Sequence, residues 1–495
     1  MRHTPFTARF TPLPRRIVLT ALALAIAGCA QIPSLDRLAN PKHGQDYATS
    51  EAFAASAAHW PESKWWQAYG DAQLDALIDE ALRDAPNLAA AGARLRRAEA
   101  IGQVAGAPLL PQLGANASAT EQRQSYNYLT PKSMTPEGWQ DYGRATLDFS
   151  WELDFWGKNR AALAAATSET EASRAEFAQT RLSLAAAVAT DYMELARLFA
   201  ARNTAARSVE VRSKTATLFA ERFANGLETK GSLREAEARR ASAEGELLQI
   251  DEQIGLQRYR LAALLGAGPD RGLAINPPTI NLSRSIGLPS ELAADLLGRR
   301  PDIVAARLRT EAQLKRIDQK KAEFYPNVNL AGFIGLQSLG LNLLSNGDST
   351  TGSIGPAISL PIFTGGRLSG ELRGSVATYE ESVANYNQTV TLALQQVANA
   401  ALSQKSLGGR LNKSEEAVAA ATEAYRIASN RYEGRLSSYL EVLSAEDAML
   451  NNLRILTDLR SRAFTLDVAL MHALGGGYSE APALANADLT PVATN

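Results

Sequence analysis

Residues able to do chemistry are few in this chain and stand far apart. The four histidines, His3, His43, His59 and His472, lie near the termini with no metal-ligand spacing among them, and no nucleophile is set in a pattern with a base. Catalytic residues, metal ligands and resident cofactors are therefore not expected. The single cysteine, Cys29, rules out an internal disulfide and leaves one thiol in informative surroundings. Arg2, Arg9, Arg15 and Arg16 precede the apolar run Ile17 to Ala27, which ends in Ile26-Ala27-Gly28-Cys29. That run is too short to span a bilayer as a helix and has the layout of a secretory signal, with Cys29 at the expected cleavage point.

The segment resembles a bacterial lipobox. The resemblance implies removal of residues 1–28, diacylglycerol and an N-acyl chain on Cys29, and a mature chain held at a membrane by that one lipid cluster. Ala30 follows the cysteine where an Asp would retain such proteins at the inner membrane, so the sorting pattern implies the outer membrane.

The elements that position everything else are long. Of the residues, 45% are hydrophobic and 21% charged, enough for a large core, while a net charge of -1 offers no footprint for nucleic acid. Between Gly366 and Tyr432 there is no proline, and Val376, Val383, Val390, Val397, Leu411, Val418, Tyr425 and Tyr432 keep a seven-residue beat that only Gln404 breaks. Tyr379, Tyr386, Ala393 and Ala400 follow three residues after the valines and complete an a/d seam. One unbroken helix of about 100 Å is predicted, and a helix that long must lie against others. Its remaining positions, among them Glu380, Asn385, Gln388 and Gln395, are polar on more than one side, which suits a wall wetted on both faces.

Elsewhere the period is two. Leu113, Ala115, Ala117 and Ala119 alternate with Gly114, Asn116, Ser118 and Thr120; Ala145, Leu147, Phe149, Trp151 and Leu153 alternate with Arg144, Thr146, Asp148, Ser150 and Glu152. Both read as strands long enough to cross a bilayer at a tilt, with Trp151, Phe155 and Trp156 where an aromatic girdle meets headgroups. A soluble sheet with one wet face is the alternative. From Gly157 a second long helix is predicted to about Ala224, then a turn at Asn225-Gly226 and a returning helix to Leu265. Four prolines in Gly266 to Pro289 mark a linker. The lead before Gly70, with Trp60, Trp65, Trp66 and Tyr69, is expected to be strapped along the body.

The pattern then recurs. Pro86 and Pro111 are matched by Pro301 and Pro326, strand signals return at Val328 to Leu336 and Ile354 to Ile362, and Val188, Val209 and Phe223 map onto Val397, Val418 and Tyr432 at a constant offset of 209 residues. The chain divides into a signal, 1–28; an acylated lead, 29–70; a first repeat of helix, two strands, long helix and helix, 71–265; a linker, 266–289; a second repeat, 290–475; and a flexible tail, 476–495. Two strands per repeat make four per chain. Four strands cannot close a barrel, and an open edge in hydrocarbon leaves backbone groups unpaired, so three copies giving twelve strands are expected to enclose a water-filled bore that the long helices continue.

At this point the chain resembles the TolC-like outer membrane factors, in their NodT-type lipoprotein branch. The resemblance rests on Gly287-Leu288-Pro289-Ser290, Arg299-Arg300-Pro301-Asp302-Ile303, Phe324-Tyr325-Pro326, Pro361-Ile362-Phe363, Gly365-Gly366-Arg367, Arg431-Tyr432 and Leu474-Gly475-Gly476-Gly477. It implies a mainly α fold with membrane β: a homotrimer with a 12-stranded outer membrane β-barrel, a periplasmic α-helical barrel and an equatorial domain. The implied work is passive export of small molecules in a tripartite efflux system, with a periplasmic adaptor, an inner membrane pump and outer membrane lipids as partners. The outer component of a type I protein secretion system is the alternative, and a periplasmic coiled-coil scaffold a third reading. The resemblance further places adaptor contacts at the two tips, on Arg222, Phe223, Asn225, Gly226, Arg431, Tyr432 and Gly434, and the periplasmic gate on Leu440 and Ser444. Many relatives carry Asp where this chain has Ser444. Glu235 holds the matching place in the first repeat and Glu441 lies three residues before Ser444, so threefold symmetry would make each a carboxylate ring. Both are equally readable as solvated helix residues. Gly226 and Gly434 are candidate pivots or simple turn formers.

Overall fold

The computed structural model describes residues 32–480 apart from 36, 50, 54–58, 128–129, 281–291 and 435. The signal, Cys29, the motif at 287–290 and the tail beyond 480 lie outside the described residues. In chain order the helices and strands are α1 (Ala72–Asp84), α2 (Pro86–Gly106), β1 (Gln112–Gln122), β2 (Gln140–Leu153), α3 (Lys158–Ala224), α4 (Lys230–Leu264), α5 (Pro269–Leu273), α6 (Leu292–Arg299), α7 (Pro301–Ala322), β3 (Asn327–Leu339), β4 (Thr350–Ser359), α8 (Arg367–Glu433) and α9 (Tyr439–Ala473). The predicted 100 Å helix is α8, continuous within one residue of its expected bounds. Among the described residues no helix is long and apolar enough to cross a membrane.

Two compact units share the chain. The first comprises residues 1–40, 97–171 and 308–384, the second 41–96, 172–307 and 385–495. In the first, the four strands form one antiparallel sheet in the order β1-β2-β3-β4. The repeats meet at its centre, where Leu147 pairs with Ile334, Trp151 with Leu330 and Leu153 with Val328. Outward from there Leu113 pairs with Phe149, Ala115 with Leu147, Val328 with Ile358 and Gly332 with Ile354. Directly opposed residues share a face, so the alternating apolar positions of all four strands line up on one side. The opposite face is polar: the Asn116 amide and the Thr146 hydroxyl both donate to the Asp148 carboxylate, at 2.7 and 3.0 Å. Below β2, Gly157 turns the chain at φ 78° and Asp154 accepts from the amides of Asn159 and Arg160, which starts α3. Ile317, Phe324, Leu368, Leu372, Tyr379 and Val383 form this unit's core, with Ile32, Leu35 and Leu38 of the lead laid against them.

The second unit buries Trp65, Tyr69, Leu74, Leu77 and Ile78 against Val188, Tyr192 and Leu195 of α3 and Tyr386, Val390, Ala393 and Val397 of the α8 seam. The lead is strapped down here as expected: the amide of Lys42 donates to Asn387 at 2.9 Å, and the Tyr69 hydroxyl donates to Asp467 at 2.6 Å. Of the proline-rich stretch after Gly266, residues 266–280 are described and pack against the body. They hold helix α5, whose Gly272 lies so close to α4 that an added Cβ would meet the Arg258 carbonyl oxygen at 2.5 Å. Arg271 pairs with Glu80 at 2.8 Å, and the amide of Thr279 donates to Asp71 at 2.8 Å. Prolines stop a long helix, but a fixed φ also suits a first helical turn, and Pro269 starts one here.

Candidate functional site

Two helical hairpins, α3 into α4 and α8 into α9, end in tight turns within the second unit. In the first, the amide of Leu227 donates to Arg222 O at 2.8 Å and that of Gly226 to Phe223 O at 3.0 Å, the double bond that closes a helix on a left-handed residue. Gly226 is that residue, at φ 70°. Asn225 adds a side-chain bond to Glu221 O at 2.8 Å, and Thr229 caps α4 by accepting from the amide of Ser232. The second turn repeats the long bond, Leu436 to Arg431 O at 2.7 Å, but Gly434 does not sit in the left-handed region and a Cβ there would make only ordinary contacts. The two candidate pivots are therefore unlike. Only Gly226 needs its missing side chain.

What joins the hairpins is aromatic. Phe219 of α3, Tyr432 of α8 and Tyr439 of α9 pack together with centroids 4.0 to 6.4 Å apart, Tyr439 tilted against the other two, over a small core of Ala216, Ala236, Ala428 and Val442. The Arg222 guanidinium lies over the Tyr432 ring at 5.0 Å and is 3.7 Å from Glu228, which also accepts from the Tyr432 hydroxyl at 3.0 Å. Burial, then Glu228, raises the Tyr432 phenol above its ordinary value. Of the residues expected at the tips, Arg222 and Tyr432 are thus brought together, while Phe223 points outward.

The acidic candidates are already paired within one chain. Glu235 accepts from Arg239 at 3.2 Å, and Arg239 reaches on to Asp447 at 2.9 Å; Asp447 is also held by Arg212 at 3.1 Å. Glu441 lies 3.4 Å from Arg431. Leu440 is 69% exposed and Ser444 is exposed beside it. The exposed pairs are weak and solvent-screened, so neither carboxylate is fully neutralised.

Glu446 was not anticipated from sequence. It is 1% exposed, 3.4 Å from the Arg212 Nε, and neither of its oxygens accepts a hydrogen bond. Burial holds its carboxyl above the ordinary value of 4.5, with Arg212 opposing. A carboxyl that ionises less readily folded than unfolded stabilises the fold below its unfolded pKa and loses that contribution as pH rises through the folded value. Glu446→Gln is accordingly expected to leave the tip unchanged near pH 4 and to stabilise it near pH 7.5, where the buried carboxyl would otherwise have to ionise. Arg212 keeps Asp447 in that variant. Hydrogen exchange over 425–450 at the two pH values measures the difference, and equal protection in both proteins at both pH values would count against it.

A signal for these pairs did exist. Arg239 with Asp447 and Glu246 with Arg454 are each 208 residues apart, close to the repeat offset, because equivalent helices of the two hairpins face each other. Among the described residues no cluster of histidine, cysteine and carboxylates could hold a metal ion.

Comparison with known proteins gives a consistent set. The family model described as outer membrane efflux protein matches residues 77–267 and 292–476. The multidrug resistance outer membrane protein MdtP of Escherichia coli strain K12 is 31% identical over 464 residues, 92% of this chain and 95% of the relative. The fusaric acid resistance protein FusA of Burkholderia cepacia is 36% identical over 367 residues, 72% of this chain and 68% of the relative. Among solved structures, the outer membrane protein VceC of Vibrio cholerae superposes with a TM-score of 0.81 at 49% identity, over 84% of this chain and all of that one. The open state of the MtrE outer membrane channel of Neisseria gonorrhoeae gives 0.76 at 26% identity, over 91% of this chain and 98% of that one.

Proposed function

Because the chain belongs to the outer membrane efflux protein family, and so is an outer membrane channel for efflux, we propose that three copies form one passive duct, each held to the outer membrane by acylated Cys29. The observation that carries this reading is the sheet. Its four strands present one continuous apolar face, while β1 and β4 have no further partner strand among the described residues. Backbone groups left open in hydrocarbon cost several kcal/mol each, so β1 of one copy pairs with β4 of the next until twelve strands close. The polar face then lines water. The hairpin tips, exposing Phe223, Leu227, Leu436 and Leu440, meet a periplasmic adaptor, and an inner membrane pump supplies energy and selects the small molecules exported.

Leu440, Glu441, Ser444 and Glu235 form the gate in this reading, with Glu441 the carboxylate that sets its charge. Arg431 tempers that charge from 3.4 Å, so Glu441→Gln is expected to lower the cation preference of the trimer and Arg431→Gln to raise it. Reversal potentials in planar bilayers under a salt gradient test both signs. Unchanged potentials in the two variants would remove Glu441 from the gate, whereas a purified chain that stays monomeric and does not conduct would remove the duct itself.

A further inference from the structure

A cavity of about 380 Å³ sits in the first unit at the corner where β2 enters α3, α7 enters β3, and β4 enters α8. Its walls are mixed. Trp156 stacks on Tyr325 with centroids 4.7 Å apart, and the indole nitrogen donates to Pro326 O at 2.8 Å, which pins the ring. Leu153 and Leu368 add apolar surface; Lys158, in an ion pair with Glu152 at 2.5 Å, and Asn327 supply polar groups. Leu153 brings the apolar face of the sheet to the cavity, and Glu152, Asn327 and Ser359 bring the polar one, so the cavity sits at the foot of the sheet with both faces reaching it. Its walls come from the ends of the inner strands β2 and β3 and of the edge strand β4.

The lead points to what fills it. Ala39 O accepts from the Tyr379 hydroxyl at 3.0 Å, and Ile32 and Leu35 lie against the core that contains Leu368. Tyr379 to Leu368 is about 16 Å of helix, within the roughly 25 Å that the chain from Ala39 back to Ile32 can reach. Leu368 belongs both to that core and to the cavity wall. Cys29 is three residues before Ile32, a reach of no more than about 10 Å.

We propose that this cavity receives the lipid-modified Cys29 of the same chain, seating the glyceryl esters and the N-acyl amide while the acyl chains pass upward along the apolar face. This rests on the lipidation reading given above. The linkage region of such a group is half carbonyl and half methylene: the Lys158 ammonium and the Asn327 amide can donate to the carbonyls, and the Trp156, Tyr325 and Leu368 surfaces cover the methylenes. The size suits a headgroup-scale fragment rather than whole acyl chains. Seated this way, each anchor sets the depth of its own four strands in the bilayer.

The test uses the full chain, matured and acylated in its outer membrane, with Tyr325 replaced by p-benzoylphenylalanine. Irradiation, protease digestion and mass spectrometry are expected to find residue 325 joined to the peptide that begins at acylated Cys29. An acylated chain whose cross-links run only to phospholipid or to a neighbouring copy overturns the seat and leaves the channel standing. An intact mass showing Cys29 unmodified overturns the lipidation reading with it. As a second measurement, a Cys29→Ser chain exported behind an ordinary cleavable signal is expected to exchange amide hydrogens over 155–163 about tenfold faster than the acylated chain, with 222–233 unchanged. Equal rates over 155–163 also overturn the seat, and conductance of the unacylated trimers reports separately on the duct.

Discussion

Gly475→Ala is expected to abolish recovery of assembled protein from the outer membrane. Gly475, Gly476 and Gly477 follow α9 in succession at φ 84°, 55° and 81°. The first two close that helix, with the amide of Gly475 donating to His472 O at 3.0 Å and that of Gly476 to Met471 O at 2.9 Å. A Cβ on Gly475 would sit 1.9 Å from the Arg299 carbonyl oxygen; on Gly476 it would meet Leu182 at 2.2 Å, and on Gly477 the Glu62 backbone at 2.3 Å. The left-handed backbone alone costs a side chain about 1–2 kcal/mol. Backbone that must also move out of a well-packed core brings the total to on the order of 4 kcal/mol, a large part of a domain's stability. Gly365→Ala is the control: Gly365 is also left-handed, at φ 60°, but nothing lies within 4 Å of its added Cβ, so only the conformational term applies. Yield of heat-resistant oligomer and the urea midpoint separate the two. Equal stability of both variants would show that the close approach at Arg299 does not matter.

The second large effect should divide two neighbouring residues on β4. Ile354 is 77% exposed on the apolar face, opposite Gly332, and Ser353 stands on the other face, opposite Phe333. Ile354→Arg places a cation against hydrocarbon at a cost of about 2–4 kcal/mol per chain, three times over in a trimer. It is expected not to assemble. Ser353→Arg puts the same charge into water and should assemble normally, with a reversal potential shifted towards anions. Membrane-inserted oligomer measured after urea washing gives the first result and bilayer recordings the second. If the Ile354→Arg chain inserts as well as wild type, the apolar face does not contact lipid.

Much of this molecule is legible in its residues one after another. The seven-residue beat of α8, the period-two runs of β1 and β2, and the prolines that return after 215 residues at Pro301 and Pro326 are all local patterns. Periodicity sets which face of an element is apolar, and a repeat sets which elements are equivalent. Both follow from backbone geometry over a dozen residues. The turn at Asn225-Gly226 is legible for the same reason, since a left-handed residue at a helix end asks for glycine.

The tip's electrostatics were not legible in that way. Glu235, Glu441 and Glu446 look alike in sequence, yet the first is bridged through Arg239 to Asp447, the second lies against Arg431, and the third is buried without a hydrogen bond. The same holds for Gly434, which looks like Gly226 until its backbone angle is known, and for α5, hidden in a run of prolines. Residue type and spacing therefore determined the repeats, the long helices and the membrane strands. Only the tertiary structure decided which carboxylates are paired and which glycines have no room, because the side-by-side packing of hairpins some 200 residues apart sets each group's dielectric surroundings and nearest charge, and no local pattern encodes that.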